Sequence, residues 1–260
     1  MVEVLRTMTT GTAAKRAAFR KLHESGHFIL PNPWDIGSAR RLEKLGFKAL
    51  ASTSAGFAWT LGREDGEATL EEVLDHLRVL CGATDLPINA DFEAGYADRP
   101  EDMAVNVTRA VDTGVAGLSI EDRTGNELYP LSLAVERMQA AREAIDATGQ
   151  DVLLVGRTEG YLIEQTDIDA AIERLVAYSA AGADVLYAPW VTDLVENRAI
   201  VEAVAPKPVN VLLRTPRMQV ADLAGIGVRR MSTGGWLGRY AWDAFERAAV
   251  SIRDDGHMPE

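Results

Sequence analysis

Ile88-Asn89-Ala90-Asp91-Phe92-Glu93-Ala94-Gly95-Tyr96 is an apolar, β-like run that ends in two carboxylates spaced i, i+2 and a glycine. In an extended chain that spacing turns both acids to one face, and the glycine lets the backbone turn tightly beside them. The stretch reads as one half of a divalent-metal site at the end of a strand. The pattern recurs twice. Ala116-Gly117-Leu118-Ser119-Ile120 runs into Glu121-Asp122, and Asp151-Val152-Leu153-Leu154-Val155 passes through Gly156 into Arg157-Thr158-Glu159. Any one of these acids reads equally well as the cap of a following helix. Three successive strands ending in charge point instead to a shared site. Hard oxygen ligands from several strand ends, some acting through water, suit Mg²⁺, and a neighbouring arginine suits an anion bound beside it.

Outward from this stretch, strand-like and helix-like runs alternate, which is the pattern of a parallel sheet with helical crossovers. Eight strands are expected, over 28–30, 48–52, 87–91, 116–121, 152–157, 184–188, 208–213 and 228–232. The intervening segments carry apolar residues at three and four spacing, as in Ala170, Ile172, Leu175, Val176 and Ser179, and Gly114, Gly182 and Gly227 fall where helices should stop. Eight such units close into a TIM barrel, preceded by a helix over 12–25, within one domain spanning 1–260. The competing doubly wound sheet lacks a Gly-x-Gly-x-x-Gly after its first strand.

The net charge of -12 and pI near 4.9 argue against a nucleic-acid or anionic-membrane partner. No apolar run reaches the length of a membrane span, and residues 1–20 lack the apolar centre of a signal segment, so a cytoplasmic protein is expected. The single cysteine, Cys81, excludes a disulfide framework and a cysteine zinc cluster, and it follows Val73, Leu74, Leu77 and Leu80 on a helical period.

In a TIM barrel the site lies at the C-terminal strand ends. Those ends here read Asn32-Pro33-Trp34-Asp35, Ser52 to Gly56, Asp91 with Glu93, Glu121-Asp122, Arg157 with Glu159, Tyr187 to Trp190, Asn210 to Arg214, and Ser232-Thr233-Gly234-Gly235. Ser52 to Gly56 offers hydroxyl and N–H groups to a carboxylate, though an ordinary βα turn reads the same way. The Ser232–Gly235 turn offers N–H groups that could cradle an oxyanion, which keeps phosphoryl chemistry open.

With these motifs in place, the chain resembles the isocitrate lyase/phosphoenolpyruvate mutase superfamily over almost its whole length. The resemblance is carried by Asn32-Pro33-Trp34-Asp35, by Ser52 to Gly56 with Leu61-Gly62 and Asp65, by Asp91 to Tyr96, by Ser119 to Asp122 and by Gly156 to Glu159. It implies a Mg²⁺-dependent barrel, with Mn²⁺ as a substitute, acting on small anionic 2-oxo or 2-hydroxy carboxylates. It also implies a dimer or tetramer, with a C-terminal helix exchanged between neighbours. The implied chemistry makes or breaks a C–C or P–C bond beside a carboxylate through an enolate held at the metal. By position, Asp91, Glu93, Glu121 and Asp65 would form the metal shell. Ser54, Ala55 and Gly56 would bind the substrate carboxylate, with Trp34, Asn210 and Gly234 as further substrate contacts. Arg157 would stabilise the enolate oxygen, with Glu159 and Tyr96 as catalytic acid candidates alongside Tyr187 or a water.

The departures narrow this. Isocitrate and methylisocitrate lyases carry an acid cysteine in a Lys-Lys/Arg-Cys-Gly-His loop after the fourth strand, whereas this loop reads Asp122-Arg123-Thr124-Gly125-Asn126-Glu127-Leu128-Tyr129-Pro130. A classical isocitrate lyase is not expected, and Glu93 stands where aspartate is commoner. None of Lys15, Lys21, Lys44, Lys48 and Lys207 ends a strand, which argues against a Schiff-base aldolase. His23, His27, His76 and His257 are too scattered for a zinc hydrolase. The expectation is a Mg²⁺-dependent C–C lyase. A phosphoenolpyruvate mutase or phosphonopyruvate hydrolase type, or a non-catalytic binder of 2-oxo acids, are the alternatives.

Overall fold

A computed structural model describes residues 11–165 and 167–259; the reading of the first ten residues lies outside them. The chain runs α1 (Thr12–Leu22), β1 (Phe28–Leu30), α2 (Ile36–Lys44), β2 (Leu50–Ala51), α3 (Ser54–Thr60), α4 (Leu70–Ala83), β3 (Ile88–Asp91), α5 (Pro100–Val111) and β4 (Gly117–Glu121). A short antiparallel hairpin, β5 (Arg123–Thr124) with β6 (Glu127–Leu128), precedes α6 (Leu131–Ala147) and β7 (Leu153–Arg157). Then follow α7 (Ile168–Ala180), β8 (Val185–Tyr187), α8 (Leu194–Val204), β9 (Val209–Leu212), α9 (Val220–Gly225), β10 (Arg230–Ser232) and α10 (Trp236–Asp255).

All eight expected strands are found, in one parallel sheet ordered β1-β10-β9-β8-β7-β4-β3-β2. The two edge strands nearly meet: the Ala51 N–H donates to the Pro31 carbonyl at 3.1 Å, which brings the sheet round into a barrel. Helix starts follow the polar residues before them. Asp35 and Ser38 form a capping box on α2, Thr69 and Glu72 form one on α4, and Asp193 caps α8. Gly114, Gly182 and Gly227 all take positive φ at the expected helix stops. The buried face of α7 is Ala171, Leu175 and Tyr178, so the expected register is one residue off and Val176 faces solvent. Gly156 permits that helix to approach, since a Cβ there would lie 2.9 Å from Tyr178 Cβ.

The first helix ends at Leu22, earlier than expected, and closes the N-terminal mouth of the barrel. Phe19 is fully buried with Phe28, Leu30 and Leu153. Lys15 donates to the Cys81 and Thr84 carbonyls, and Arg16 to those of Val111 and Val115. Among the described residues, no helix is long and apolar enough to cross a membrane.

His23 sits edge-on between Phe19 and Phe28, its Nδ1–H donating to the Phe19 carbonyl at 2.8 Å. Burial, and then the charge of Arg230, hold its pKa down to about 3. The unfolded chain therefore binds a proton that the folded chain refuses between pH 6.5 and 3. Relative to a His23→Phe variant, in which the other titrating groups cancel, the protein should lose about 1.4 kcal/mol of stability per pH unit as pH falls below 6.5. Urea denaturation at pH 7, 6 and 5 measures this; parallel curves for the two proteins would refute it.

Candidate active site

Asp91 closes β3 with each carboxylate oxygen engaged: Oδ1 accepts from Arg157 Nη1 at 3.0 Å, and Oδ2 from the Ser54 N–H and hydroxyl, both at 3.0 Å. Its own N–H donates to Ser52 Oγ at 2.8 Å. Beyond Asp91 the backbone turns through positive φ at Glu93, Gly95 and Tyr96. Gly95 is required there, since a Cβ would lie 2.4 Å from Met103 Cγ. The Tyr96 hydroxyl donates to Glu93 Oε1 at 2.6 Å. The turn is held from outside by Arg137 on α6, which donates to the carbonyls of Ala94, Ala97 and Asp98.

Glu121 at the end of β4 and Arg157 at the end of β7 lie side by side in register, and Arg157 Nη1 stands 3.0 Å from Glu121 Oε1. Arg157 Nε donates to Glu159, which is fully buried. Arg123, from the hairpin after β4, approaches both Glu121 at 3.3 Å and Glu159 at 3.6 Å. Asp122 faces the other way: it accepts from the Glu159 N–H, the Tyr178 hydroxyl and Arg174, and so fastens β4 to α7. Alternation along the strand makes neighbours 121 and 122 face opposite sides.

Two hollows open on this cluster. A cavity of about 270 Å³ at the C-terminal end of the barrel is lined by Asp65, Asp91, Ser54, Ala55, Arg157, Tyr187, Asn210 and Gly234, among others. A second hollow, of about 470 Å³, is lined by Asp65, Glu93, Tyr96, Glu121 and Arg123. The four expected metal-shell acids are thus divided between two hollows, with Asp65 facing both. Among the described residues, no three acid, histidine or cysteine side chains close around a common point that could hold an ion directly. The electrostatics nonetheless favour a cation. Crowding by the surrounding protein, then repulsion by Asp91, raises the pKa of Asp65 although its side chain keeps contact with solvent, and desolvation pushes half-buried Glu93 up to about 7. Glu121 is held well above the usual carboxylate range, by burial first and by Glu159 and Asp91 against the opposing pull of Arg157. Buried Glu121 and Glu159, half-buried Asp91 and Glu93, and Asp65 outnumber Arg157 and Arg123, an excess of negative charge that fits a hard divalent ion keeping part of its water shell.

The other expected residues fall into place unevenly. Gly56 is buried in the first turn of α3, its N–H donating to Thr53 Oγ1 at 3.2 Å. Trp34 does not line the cavity; it packs where a Cβ on Gly56 or Gly238 would touch it. The oxyanion cradle expected at Ser232–Gly235 is filled by the chain itself, because Asn32 Oδ1 accepts from the Thr233 and Gly234 N–H groups at 2.9 and 2.8 Å. Gly234 therefore presents its backbone as wall, not as a donor. Tyr96 and Glu159 stand outside the main cavity, whereas Tyr187 lines it, its ring 5.3 Å from the Arg157 guanidinium carbon.

Residues that sequence reasoning missed are Trp59, Trp236 and Arg239 around the cavity, where Trp190, read only as part of a strand end, also stands, together with Arg123 beside the acids and Arg230 inside the barrel. Arg123 follows Glu121-Asp122 directly and Arg230 lies inside an expected strand, so both were in view without a signal for direction. The tryptophans come from three separate loops and helices, with no spacing that links them.

Comparison with known proteins agrees with this geometry. The family model described as phosphoenolpyruvate phosphomutase matches residues 19–253. A crystal structure of a Burkholderia cenocepacia J2315 protein, provisionally labelled a lyase/mutase, superposes with a TM-score of 0.92 at 45% identity, covering 95% of this chain and 90% of that one. The oxaloacetate decarboxylase of Rhodopseudomonas palustris (strain BisB18) is 31% identical over 95% of this chain and 80% of its own. An oxaloacetate acetylhydrolase bound to its product oxalate superposes with a TM-score of 0.86 at 26% identity, covering 96% and 90%. With a family model matching residues 19–253 and the barrel fold in common with these relatives, the chain belongs to the phosphoenolpyruvate mutase/isocitrate lyase superfamily.

Proposed function

We propose that this protein is a Mg²⁺-dependent carbon–carbon lyase that cleaves a small 2-oxo or 2-hydroxy carboxylate to an enolate and then protonates it, acting in the cytoplasm. The observation that carries the reading is Arg157, half-buried at a strand end against Asp91, Glu121 and Glu159 and facing the same cavity as Ser54 and Ala55. Asp91, Asp65, Glu93 and Glu121 would hold the ion, several through water, and it would polarise the substrate's carbonyl or hydroxyl oxygen. Ser54 and Ala55 would receive the substrate carboxylate. A fixed guanidinium beside the reacting carbon lowers the energy of the negative charge that appears when the C–C electron pair moves into the enolate. Tyr187 is the proton donor the cavity offers: burial pushes its pKa up to about 12, so its hydroxyl carries a proton at neutral pH. The relatives named for oxaloacetate chemistry support the substrate class. The phosphoryl alternative loses its specific support because Asn32 fills the Ser232–Gly235 cradle.

The test is calorimetry with Mg²⁺ and oxalate, a mimic of the pyruvate enolate, on the wild type and on Arg157→Ala. Tight, Mg²⁺-dependent binding that the variant weakens at least about 100-fold is expected. Absence of binding by the wild type would refute the reading. Turnover of oxaloacetate, methylisocitrate-like acids or phosphonopyruvate then separates a lyase from a P–C enzyme, and binding without product from any substrate identifies a binder.

The same proposal includes a homo-oligomer. Trp242, Phe245, Ala249 and Ile252 recur at three- and four-residue spacing on α10 and are exposed, with Phe245 at 63%. A water-exposed apolar stripe on a terminal helix favours burial against another subunit. Light scattering after size exclusion should give a dimer or tetramer for the wild type and a monomer for Phe245→Asp/Ile252→Asp; a monomeric wild type would refute it.

A further inference from the structure

Four cationic side chains are almost fully buried among the described residues: Lys15, Arg16, Arg137 and Arg230. The first three give their N–H groups mainly to backbone carbonyls, and none lines the main cavity. Arg230 is different. It lies on β10 inside the barrel, is 2% exposed and lines the cavity that holds Asp91 and Arg157. Its Nε donates to Asn210 Oδ1 at 2.9 Å and its Nη1 to Asn89 Oδ1 at 3.2 Å. Both partners are neutral amides, and no described carboxylate lies within ion-pairing distance of it. Asn210 is fixed in turn by donating to Ser232 Oγ at 2.9 Å.

A buried guanidinium hydrogen-bonded only to amides is costly, since buried charges are normally paired. The two ends of the cavity are complementary in sign. The acids at the strand ends outnumber the arginines there and favour a cation, while the interior carries a lone positive charge and favours an anion. Asn89 and Asn210 orient the guanidinium from two sides without neutralising it.

We infer that Arg230 is a specificity-determining residue that seats a second anionic group of the substrate, a carboxylate, deep in the barrel below the reacting carbon. This rests on the enolate site proposed above and adds to it the seat of the substrate's distal carboxylate. Arg230 acts through the distal carboxylate and takes no part in the bond-breaking step.

The probes are malate and 2-hydroxybutanoate, four-carbon 2-hydroxy acids that differ in a terminal carboxylate against a methyl group, titrated calorimetrically at saturating Mg²⁺. Wild-type protein should bind malate at least about 30-fold more tightly, a charge-paired hydrogen bond in a buried site being strong. Arg230→Met should bring that ratio to within about 3-fold while leaving oxalate affinity unchanged, because oxalate is too short to reach both sites. Asn210→Asp, nearly isosteric, places a carboxylate of this chain against Arg230 and should collapse the ratio in the same way even if Arg230→Met does not fold. A wild-type ratio near one, or a ratio that survives either substitution, overturns the inference. Oxalate binding separates the two failures: no oxalate binding by the wild type defeats the enolate site itself, whereas oxalate binding with a ratio of one defeats only the role of Arg230.

Discussion

Asp91→Ala is expected to abolish Mg²⁺-dependent oxalate binding and to reduce turnover by at least about 10³-fold, since metal and oxyanion stabilisation together supply several kcal/mol to such a transition state. Asp91 is the one strand-end acid that faces the main cavity, touches Arg157 and receives both donors of Ser54. On the function proposed above, removing it deletes a ligand for the ion and frees Arg157 to swing toward Glu121 and Glu159. The fold should survive. Asp91 is half-buried at the rim, and Arg157 keeps its other two carboxylates, so the stability cost is about 1–3 kcal/mol. Circular dichroism and urea unfolding establish that the variant is folded, and calorimetry reads the loss. Asp91→Asn, which keeps the shape and the Ser54 contacts, should fail almost as completely, because charge is what the ion and Arg157 require. An active Asp91→Ala protein with unchanged metal affinity would remove the metal assignment at its centre.

How far the sequence carries this site can be seen at neighbouring residues. The strands were legible because apolar runs of four to six residues alternate with amphipathic helices stopped by glycine, and because helix-starting polar residues such as Asp35 and Thr69 cap where they fall. Asp91, Glu121 and Arg157 were legible because a carboxylate or guanidinium that ends an apolar strand must leave the core at the barrel mouth. Asp122 shows the limit: it shares the motif, yet strand alternation turns it outward to Tyr178 and Arg174. The division of the acids between two hollows could not be read, because it depends on how the turn from Glu93 to Tyr96 folds over Gly95. Arg230 follows another arginine inside a run that is otherwise strand-like, and only the strand register says which of the two faces the barrel interior. Asn32 was read as part of a motif, whereas its function is visible only in space, 201 residues away on Thr233.

Arg137→Met should cost the largest share of stability of any single substitution away from the reacting groups, about 3–5 kcal/mol. Arg137 is 1% exposed on α6, its guanidinium stacked 4.4 Å over the Tyr129 ring while it donates to the carbonyls of Ala94, Ala97 and Asp98. Those carbonyls belong to the turn that carries Glu93 and Tyr96 at positive φ, where few intrinsic preferences favour the backbone. Tyr129 joins the same network, its hydroxyl donating to Asp98 Oδ1 at 2.6 Å. Methionine matches much of the length but supplies no donors, so three carbonyls lose the guanidinium that ties them to α6. Urea unfolding should therefore shift to a markedly lower midpoint with an unchanged slope. Because the loosened turn holds Glu93, Mg²⁺ affinity should fall about tenfold even where the variant is fully folded, corresponding to about 1.4 kcal/mol. A normal midpoint would show that the turn holds its shape without Arg137. A low midpoint with unchanged Mg²⁺ affinity would instead remove Glu93 from the metal shell and leave Asp91 and Asp65 to hold the ion.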